Sequence, residues 1–154
     1  MCGGRGFCTG LRVADSPGFT LLVVDDDDVT AEAVVRGMHK HDMDCPVMIA
    51  EDGGAALQIL RGTHPTRRIA KPYLVLLDLN MPRMNGIEFL RELRSDDRLR
   101  GTVVFVLSGS GSDAERARAY DENIAGYLLK SGLGPQLSGL ARFLNEYRAA
   151  VSFP

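Results

Sequence analysis

Acidic, hydroxyl and ammonium side chains stand directly after four apolar runs of the sequence. In chain order these polar residues are Asp25 and Asp26, Asp78, Ser108 and Lys130. The preceding runs are apolar on both faces, as strands buried in a parallel sheet are. The carboxyl ends of such strands lie side by side, and ligands bind in the crevice just outside them. We therefore expect carboxylates, a hydroxyl and an ammonium to meet at one edge of a sheet.

The carboxylates in this set suggest a metal site. Carboxylates that lie close together repel one another unless they are protonated or bind a cation. Mg²⁺ typically takes one or two carboxylates together with phosphate and water oxygens, and we favour this interpretation for Asp25 and Asp26. The alternative is helix capping, in which each acid contributes about 0.3–1 kcal/mol. We prefer capping for Asp27 and Asp28, although a run of four acids leaves the register open by one residue.

Asp78 is the candidate nucleophile. A carboxylate at the end of a central strand can attack a phosphoryl group when a metal neutralises charge and fixes the geometry. Such a transfer depends mainly on positioning and electrostatics. Lys130 can donate to a phosphate oxygen as a point charge, and the hydroxyl of Ser108 can donate to another. Taken singly, each has an ordinary alternative: a loop acid, a surface lysine and a turn serine.

Five short apolar runs alternate with five helical patterns. The predicted strands lie near residues 20–24, 47–50, 73–77, 103–107 and 126–129. The predicted helices span residues 29–39, 54–61, 86–94, 112–122 and 134–150. The fourth helix is polar, with Ala114, Ala117 and Tyr120 as its apolar set. A β-α unit repeated five times predicts an α/β fold, a three-layer α/β/α sandwich with right-handed crossovers. In the usual strand order of this architecture, 2-1-3-4-5, the third strand is central and lies beside the first.

The chain of 154 residues is most simply a single domain. We expect residues 1–18 to be a loose, glycine-rich tail, residues 19–150 to form the domain and residues 151–154 to form a second tail. This last segment is apolar for a chain end, because it contains Val151 and Phe153. It either serves a homodimer or partner contact or is disordered.

Composition argues against several classes of protein. The net charge of −2 gives no electrostatic footprint for nucleic acid. No apolar stretch approaches the ~20 residues that a membrane-spanning helix needs, so we expect neither a nucleic acid nor a membrane as partner. The three cysteines, Cys2, Cys8 and Cys45, are an odd number without a paired spacing. They fit a reducing compartment such as the cytoplasm.

In combination, these motifs closely resemble the receiver domain of two-component response regulators. The matching segments, between Phe19 and about Tyr147, are Leu-Leu-Val-Val-Asp25-Asp26, Leu-Leu-Asp78-Leu-Asn80-Met-Pro82, Asn85-Gly86, Val-Leu-Ser108-Gly and Gly-Tyr127-Leu-Leu-Lys130. Their presence together and in this order is highly specific. The resemblance implies a flavodoxin-like receiver fold. It also implies a Mg²⁺-dependent signalling switch that a sensor histidine kinase phosphorylates, not an enzyme acting on other substrates.

The resemblance assigns the metal site and the phosphoacceptor. Asp78 would take the phosphoryl group from the phosphohistidine of the kinase and would also contact the metal. Asp26 would be a direct Mg²⁺ ligand, and Asp25 would help through water. Asn80 would ligate the metal through its backbone carbonyl oxygen.

The resemblance also assigns a switch. Ser108 and Lys130 match the hydroxyl and the lysine that follow the phosphoryl group in this family. Tyr127 matches the aromatic residue that turns inward when the hydroxyl is drawn to phosphate; its alternative is a plain strand-end aromatic. The family usually has proline after the lysine, where this chain has Ser131. A cis bond before a residue other than proline costs ~2.5–4 kcal/mol, so the Lys130–Ser131 peptide is either trans or strained.

A finer resemblance points to the single-domain regulators paired with bacterial phytochromes. It is based on Ser131, on the long polar loop at residues 64–72 and on the expected single-domain organisation. Output would then pass through protein contact. Two other classes stay open. One is an aspartyl-phosphate phosphohydrolase, which usually has a second acid two residues after the nucleophile, where this chain has Asn80. The other is a phosphorylation-independent adaptor with a vestigial site.

Overall fold

The computed structural model describes residues 18–41 and 45–154. Its elements are β1 (Thr20–Val24), α1 (Asp28–Lys40), β2 (Val47–Ala50), α2 (Gly53–Arg61), β3 (Tyr73–Leu77), α3 (Gly86–Ser95), β4 (Val103–Ser108), α4 (Asp113–Asp121), β5 (Gly126–Leu129), two 3-10 turns (Lys130–Leu133 and Pro135–Leu137) and α5 (Ser138–Ala150). The N-terminal tail predicted for residues 1–18 lies outside the described residues, apart from Gly18.

The five strands form one parallel sheet in the order β2-β1-β3-β4-β5. This confirms the predicted α/β architecture and strand order. Because β1 and β3 are neighbours in the interior of the sheet, the residues that follow them are neighbours too. The amide of Asp78 donates to the carbonyl oxygen of Val24 at 2.9 Å, and the amide of Asp25 donates to that of Ala50 at 3.1 Å. The sheet pairing therefore fixes the backbone of both acids.

Alternate strand residues face two separate cores. On one face of the sheet, Leu22, Val75 and Val104 pack with residues of α2, α3 and α4. On the other face, Leu21 and Leu74 pack with residues of α1 and α5. These central strands are buried on both sides, which explains why their sequences are continuously apolar. The result is the predicted three-layer sandwich.

The N-terminal ends of α1 and α3 explain the roles of Asp27 and Asn85. Asp27 is the N-cap of α1, and its Oδ1 accepts from the amide of Val29 at 3.0 Å. Asn85 caps α3 through a reciprocal capping box with Glu88, in which the two contacts measure 2.9 and 3.1 Å. A side-chain oxygen at this position satisfies an amide that has no partner inside the helix. The capping interpretation of Asp27 is therefore confirmed.

Helix α5 begins one turn later than predicted, at Ser138 instead of Gly134. The backbone φ angles of Gly134, Gln136 and Leu137 are 82°, 53° and 59°. These left-handed conformations cannot continue a right-handed helix. The chain therefore makes two 3-10 turns between β5 and α5.

Helix α4 is packed more lightly than predicted. Ala119 is its one buried residue, and Tyr120, which was expected to face the core, is 48% exposed. The C-terminal end of α4 is nevertheless held firmly. The guanidinium of Arg94 donates to the carbonyl oxygens of Glu122 and Asn123 at 2.8 and 2.9 Å, and to those of Arg100 and Thr102 at 2.7 and 2.9 Å. Arg94 thus joins the end of α4 to the loop between α3 and β4.

The polar loop before β3 covers an edge of the sheet. The guanidinium of Arg67 donates to the backbone carbonyl oxygen of Ile49 in the edge strand β2. It also forms an ion pair with Glu51 at 3.0 Å. An uncovered edge strand exposes backbone groups to pairing with another chain. The loop therefore has a structural role on this edge.

The C-terminal residues pack against the domain. The ring of Phe153 stacks on that of Phe19 with centroids 5.4 Å apart and meets Tyr147 edge-on at 6.1 Å. Phe153 therefore extends the core between the sheet and α5, while Val151 remains 37% exposed.

Of the helices that the structure describes, none has the length and apolar character needed to cross a bilayer.

Candidate functional site

Three carboxylates meet at the carboxyl ends of β1 and β3. Asp25, Asp26 and Asp78 each offer one oxygen, and these oxygens all lie within 4.8 Å of one another. Asp25 is 4% exposed and Asp78 is 9% exposed, whereas Asp26 faces solvent. The two buried acids come from adjacent strands. Their approach is a direct consequence of the strand order.

Backbone amides orient the two buried carboxylates. Oδ1 of Asp25 accepts from the amide of Asp27 at 2.8 Å, and Oδ1 of Asp78 accepts from the amide of Asn80 at 3.1 Å. The side chain of Asn80 is exposed. The loop after each strand therefore folds back and fixes the carboxylate that ends the strand.

Burial dominates the electrostatics of this cluster. It raises the pKa of Asp25 to about 6, against a lowering by the amide of Asp27, and the nearby charge of Asp78 raises that pKa further. Burial also raises the pKa of Asp78, against lowering by the amide of Asn80 and by the charge of Lys130. A carboxylate in a poorly hydrated site is stabilised mainly by nearby positive charge. Without a metal ion, the positive charge near these carboxylates is too small to offset the effect of burial on their pKa values.

The cluster has the donor set that a hard divalent cation requires. Mg²⁺ prefers oxygen ligands and usually binds through one or two carboxylates while keeping several waters. Two buried carboxylates and one exposed carboxylate supply such oxygens, and the exposed one leaves a side open to water. The raised pKa values of Asp25 and Asp78 show that the site would gain from a positive charge. The residues present therefore fit Mg²⁺.

Lys130 reaches the margin of the acidic cluster. Its Nζ donates to the hydroxyl of Thr30 at 3.4 Å, and that hydroxyl donates to Oδ2 of Asp27 at 2.8 Å. Its charge is close enough to lower the pKa values of Asp25 and Asp78. The Lys130–Ser131 peptide is trans, since the cis peptide among the described residues is the one between Lys71 and Pro72.

Ser108 ends β4 in a fully buried position. Its hydroxyl accepts from the amide of Ser110 at 3.0 Å and donates to the carbonyl oxygen of Ser110 at 3.3 Å. The side chain is thus bonded to the loop that leads into α4. Any other group that accepts a hydrogen bond from the Ser108 hydroxyl must compete with the carbonyl oxygen of Ser110 for its proton.

Tyr127 lies on β5 and packs at the edge of the core formed with α2, α3 and α4. Its hydroxyl lies 3.0 Å from Oε1 of Glu115 and 3.3 Å from the carbonyl oxygen of Ser110. Burial raises the pKa of the Tyr127 hydroxyl, a hydrogen bond with the Ser108 side chain lowers it, and the Glu115 carboxylate raises it further. Tyr127 is therefore a neutral donor that connects β5 to α4.

Sequence reasoning did not identify two residues of this neighbourhood. Thr30 lies on the first turn of α1 and is 8% exposed. A threonine four residues after Asp26 was a usable signal, since it lies at the start of the helix predicted directly after the acids. Glu115 lies on α4, and nothing in its sequence context distinguished it from other surface acids. It lines a cleft of about 430 Å³ between α3 and α4, next to Asn80.

Comparison with known sequences identifies the family. The sequence model described as "Response regulator receiver domain" matches residues 21–140. The chain is also 33% identical over 134 residues to "Probable methanogenesis regulatory protein FilR2" of Methanothrix harundinacea, an alignment that covers 87% of this chain and 85% of that protein.

Solved structures agree with the sequence comparison. The phosphorylated cyanobacterial phytochrome response regulator RcpA is 26% identical, with a TM-score of 0.76, and the match covers 90% of this chain and 99% of that one. The Mn²⁺-bound form of response regulator Rcp1 is also 26% identical, with a TM-score of 0.73 and coverage of 88% and 99%. The fold, the site at the strand ends and these matches lead to one conclusion: the chain belongs to the response regulator receiver domain family.

Proposed function

We propose that this protein is a single-domain phosphorylation switch that accepts a phosphoryl group on Asp78 from a sensor histidine kinase. The observation that carries the proposal is the placement of Asp78 beside two further carboxylates, with their oxygens within 4.8 Å. We assign Asp25, Asp26 and Asp78, together with the backbone carbonyl of Asn80, to Mg²⁺. When bound, Mg²⁺ would neutralise the carboxylates and the incoming phosphoryl oxygens.

The proposed transfer is a displacement at phosphorus. A carboxylate oxygen of Asp78 attacks the phosphorus atom, and a new P–O bond forms. The P–N bond of the phosphohistidine breaks, and its electron pair returns to the imidazole nitrogen of the kinase. The amide of Asn80 keeps the Asp78 carboxylate oriented during the attack. The protein contributes mainly position and electrostatics, since such transition states need little covalent help.

Two further residues are assigned to the phosphorylated state. Lys130 would donate from its ammonium to one phosphoryl oxygen, and Ser108 would donate from its hydroxyl to another. Charge-assisted hydrogen bonds of this kind are roughly twice as strong as neutral ones. Moving a two-state equilibrium from 1:99 to 99:1 requires about 5.5 kcal/mol of differential interaction. We propose that these contacts supply it and that Tyr127 follows Ser108.

We propose a histidine kinase of the bacteriophytochrome class as the phosphodonor. The support is the similarity to RcpA, which is described as a phytochrome response regulator. We also propose that the protein works in the cytoplasm and that its receiver domain spans residues 19–150. Output would pass to a downstream protein through the surface of α4, β5 and α5. A homodimer through the chain end would rely on the exposed Val151, since Phe153 is engaged within its own chain.

Incubation with acetyl phosphate and Mg²⁺ tests the proposal. We expect stoichiometric, hydroxylamine-labile labelling of the wild-type protein and none of D78N. The matched control is Asp28→Asn, which removes an exposed acid of α1 outside the cluster and should label like the wild type. Equal labelling of D78N would refute the assignment. Catalytic turnover of organic phosphates would instead indicate a phosphohydrolase, and absence of any labelling would indicate an adaptor.

Phosphotransfer profiling tests which sensor kinase is the phosphodonor. Each purified sensor kinase of the source organism is autophosphorylated and then mixed briefly with this protein. We expect the fastest transfer from a phytochrome kinase and none to D78N. Preferential transfer from a kinase without a phytochrome sensor would contradict the pairing but leave the switch intact.

A further inference from the structure

Strand β2 lies at the edge of the sheet, and its outward side is defined by the pairing on its inner side. The carbonyl oxygens of Pro46 and Ala50 accept from amides of the β1 segment at 2.9 and 3.1 Å. The backbone groups of successive residues point alternately to the two sides of a strand. Those of Val47 and Ile49 therefore point away from the sheet, where an additional strand would pair with them.

Arg67 occupies one of these outward positions. Its guanidinium donates to the carbonyl oxygen of Ile49, which a neighbouring strand would otherwise use. A strand paired with β2 would lie about 4.8 Å from it, and this is the space that the guanidinium fills. Arg67 and an added strand therefore exclude each other.

The guanidinium of Arg67 is itself held in place. Its Nη2 atom lies 3.0 and 3.1 Å from the two carboxylate oxygens of Glu51, and 3.1 Å from Nε2 of His64. The Nδ1 atom of His64 accepts from the amides of Thr66 and Arg67 at 3.2 and 3.1 Å. The amide of His64 donates to the carbonyl oxygen of Gln58 in α2 at 3.2 Å. The polar loop therefore fixes Arg67 against the edge and is anchored to the helix beside it.

The other outward groups of β2 are open. The strand has four residues, and three of them are partly exposed. Among the residues that the structure describes, no hydrogen bond uses the outward amides of Val47 and Ile49. Two copies of such an edge are complementary to each other, because antiparallel pairing about a two-fold axis gives each copy the same amides and carbonyl oxygens. A second copy of this chain is therefore the partner that fits the edge.

We propose that Arg67 is a plug that keeps the β2 edge closed to a second copy of this chain. When the guanidinium is withdrawn, the edge becomes an interface, and antiparallel pairing of β2 with β2 joins the two five-stranded sheets into one. The pairing involves backbone hydrogen bonds on the outer side of the sheet and no residue of the acidic cluster. It is therefore independent of phosphorylation at Asp78.

Removal of the guanidinium tests the proposal. Wild type and Arg67→Ala are compared by light scattering over a range of protein concentrations. The matched control is Arg68→Ala, which removes the adjacent arginine, whose guanidinium donates to the carbonyl oxygens of His64 and Arg67 within the loop. We expect the molar mass of Arg67→Ala to rise with concentration toward twice the wild-type value, whereas Arg68→Ala should match the wild type. Amide hydrogen exchange at Val47 and Ile49 should slow as Arg67→Ala associates.

A second substitution locates the interface. Val47→Pro removes an outward amide hydrogen that the pairing with β1 does not use, and proline is tolerated on an edge strand at such a position. Adding Val47→Pro to Arg67→Ala should return the molar mass to the wild-type value, while Val47→Pro alone should leave the mass unchanged. Circular dichroism establishes that each variant is folded.

Two results would overturn the inference. One is a folded Arg67→Ala protein whose molar mass equals that of the wild type at every concentration. The other is an association that Val47→Pro does not reverse and that leaves exchange at Val47 and Ile49 unchanged, since it must use another surface. If Arg67→Ala does not fold, Glu51→Gln, which removes the ion pair of the guanidinium, is judged by the same criteria.

Discussion

The ammonium of Lys130 lies 3.4 Å from the hydroxyl of Thr30, and no carboxylate of the described residues lies within 4.0 Å of it. Thr30 in turn donates to the N-cap acid Asp27 at 2.8 Å. The lysine is therefore held at the first turn of α1 while its charge still acts on the buried acids. Because an ammonium has three donors, one of them can turn toward a phosphoryl group on Asp78.

Replacing Thr30 by valine should show whether the resting contact between Lys130 and Thr30 is needed for phosphorylation or only holds the lysine in place. Thr30→Val keeps the shape of a buried side chain but removes one donor and one acceptor, so we expect about 1–2 kcal/mol of destabilisation by thermal denaturation. Labelling by acetyl phosphate should persist, because Lys130 is still present. Lys130→Gln should instead fold normally and label roughly 10²-fold more slowly. Labelling of Thr30→Val as slow as that of Lys130→Gln would show that the resting contact is itself needed for transfer.

The metal-free protein should lose stability as the pH rises through the raised folded-state pKa of Asp25. The folded-state pKa of Asp25 is raised from 3.8 to about 6, so folding favours its protonated form. This contribution is complete below pH 3.8 and is lost as the pH rises through about 6. Asp78 acts in the same direction. A raised pKa of this size corresponds to about 1–3 kcal/mol, or several °C in Tm at roughly 2–4 °C per kcal/mol.

Mg²⁺ should reverse that trend. The cation binds the ionised carboxylates, so the Tm increase it causes should be larger at pH 7.5 than at pH 5 by several °C, on the same scale of roughly 2–4 °C per kcal/mol. Asp25→Asn is the control, since it removes the titrating group and should flatten the metal-free profile. An equal effect of Mg²⁺ at both pH values would contradict the assignment of these acids to the metal.

Gly86 should tolerate no side chain. A Cβ at this position would lie 2.6 Å from Cα of Leu79 and 2.9 Å from the carbonyl oxygen of Asp78. We expect Gly86→Ala to destabilise the protein by about 1–3 kcal/mol and to slow labelling, because the backbone of Asp78, the proposed phosphoacceptor, must shift. Gly101→Ala is the matched control, with no heavy atom within 4 Å of the new Cβ. It should stay within about 0.5 kcal/mol of the wild type.

Phe153 should stabilise the monomer. Its ring contacts Phe19 and Tyr147 at 5.4 and 6.1 Å, so Phe153→Ala should cost about 1–2 kcal/mol in thermal or urea denaturation. Ser152→Ala, at the exposed neighbouring position, should be neutral. Molar mass by light scattering should be the same for the wild type and Phe153→Ala. A fall in mass for the variant would show that the chain end also serves a dimer.

The sequence predicted the sheet and the acidic cluster because both follow from local patterns. Continuously apolar runs indicate buried parallel strands, and the strand order then brings Asp25 and Asp78 together. Hydrogen bonds between distant side chains leave no such pattern. Lys130 and Thr30 are separated by 100 positions, and which neighbour the ammonium contacts depends on α1 packing beside α5 and the 3-10 turns that follow β5.

Local conformation explains the errors in the helices. Leu137 fits the apolar periodicity of α5, yet its φ of 59° places it before the helix. Tyr120 fits an apolar face of α4, yet that helix packs through Ala119. Periodicity shows which side of an ideal helix is apolar, but it cannot show where a left-handed residue delays the start or how closely a short helix approaches the sheet.

Arg94 gives α4 two unequal ends. Its guanidinium binds the carbonyl oxygens of Glu122 and Asn123, close to Ala119, the one buried residue of the helix, while the opposite end follows the loop from Ser108 and has no buried residue in its first turn. A displacement that begins near Ser112 therefore cannot translate the helix as a whole. The helix must pivot about its fastened end, so that the largest excursion occurs at Asp113 and fades toward Asp121. A partner protein that distinguishes the phosphorylated state would therefore discriminate best by binding the first turn of α4.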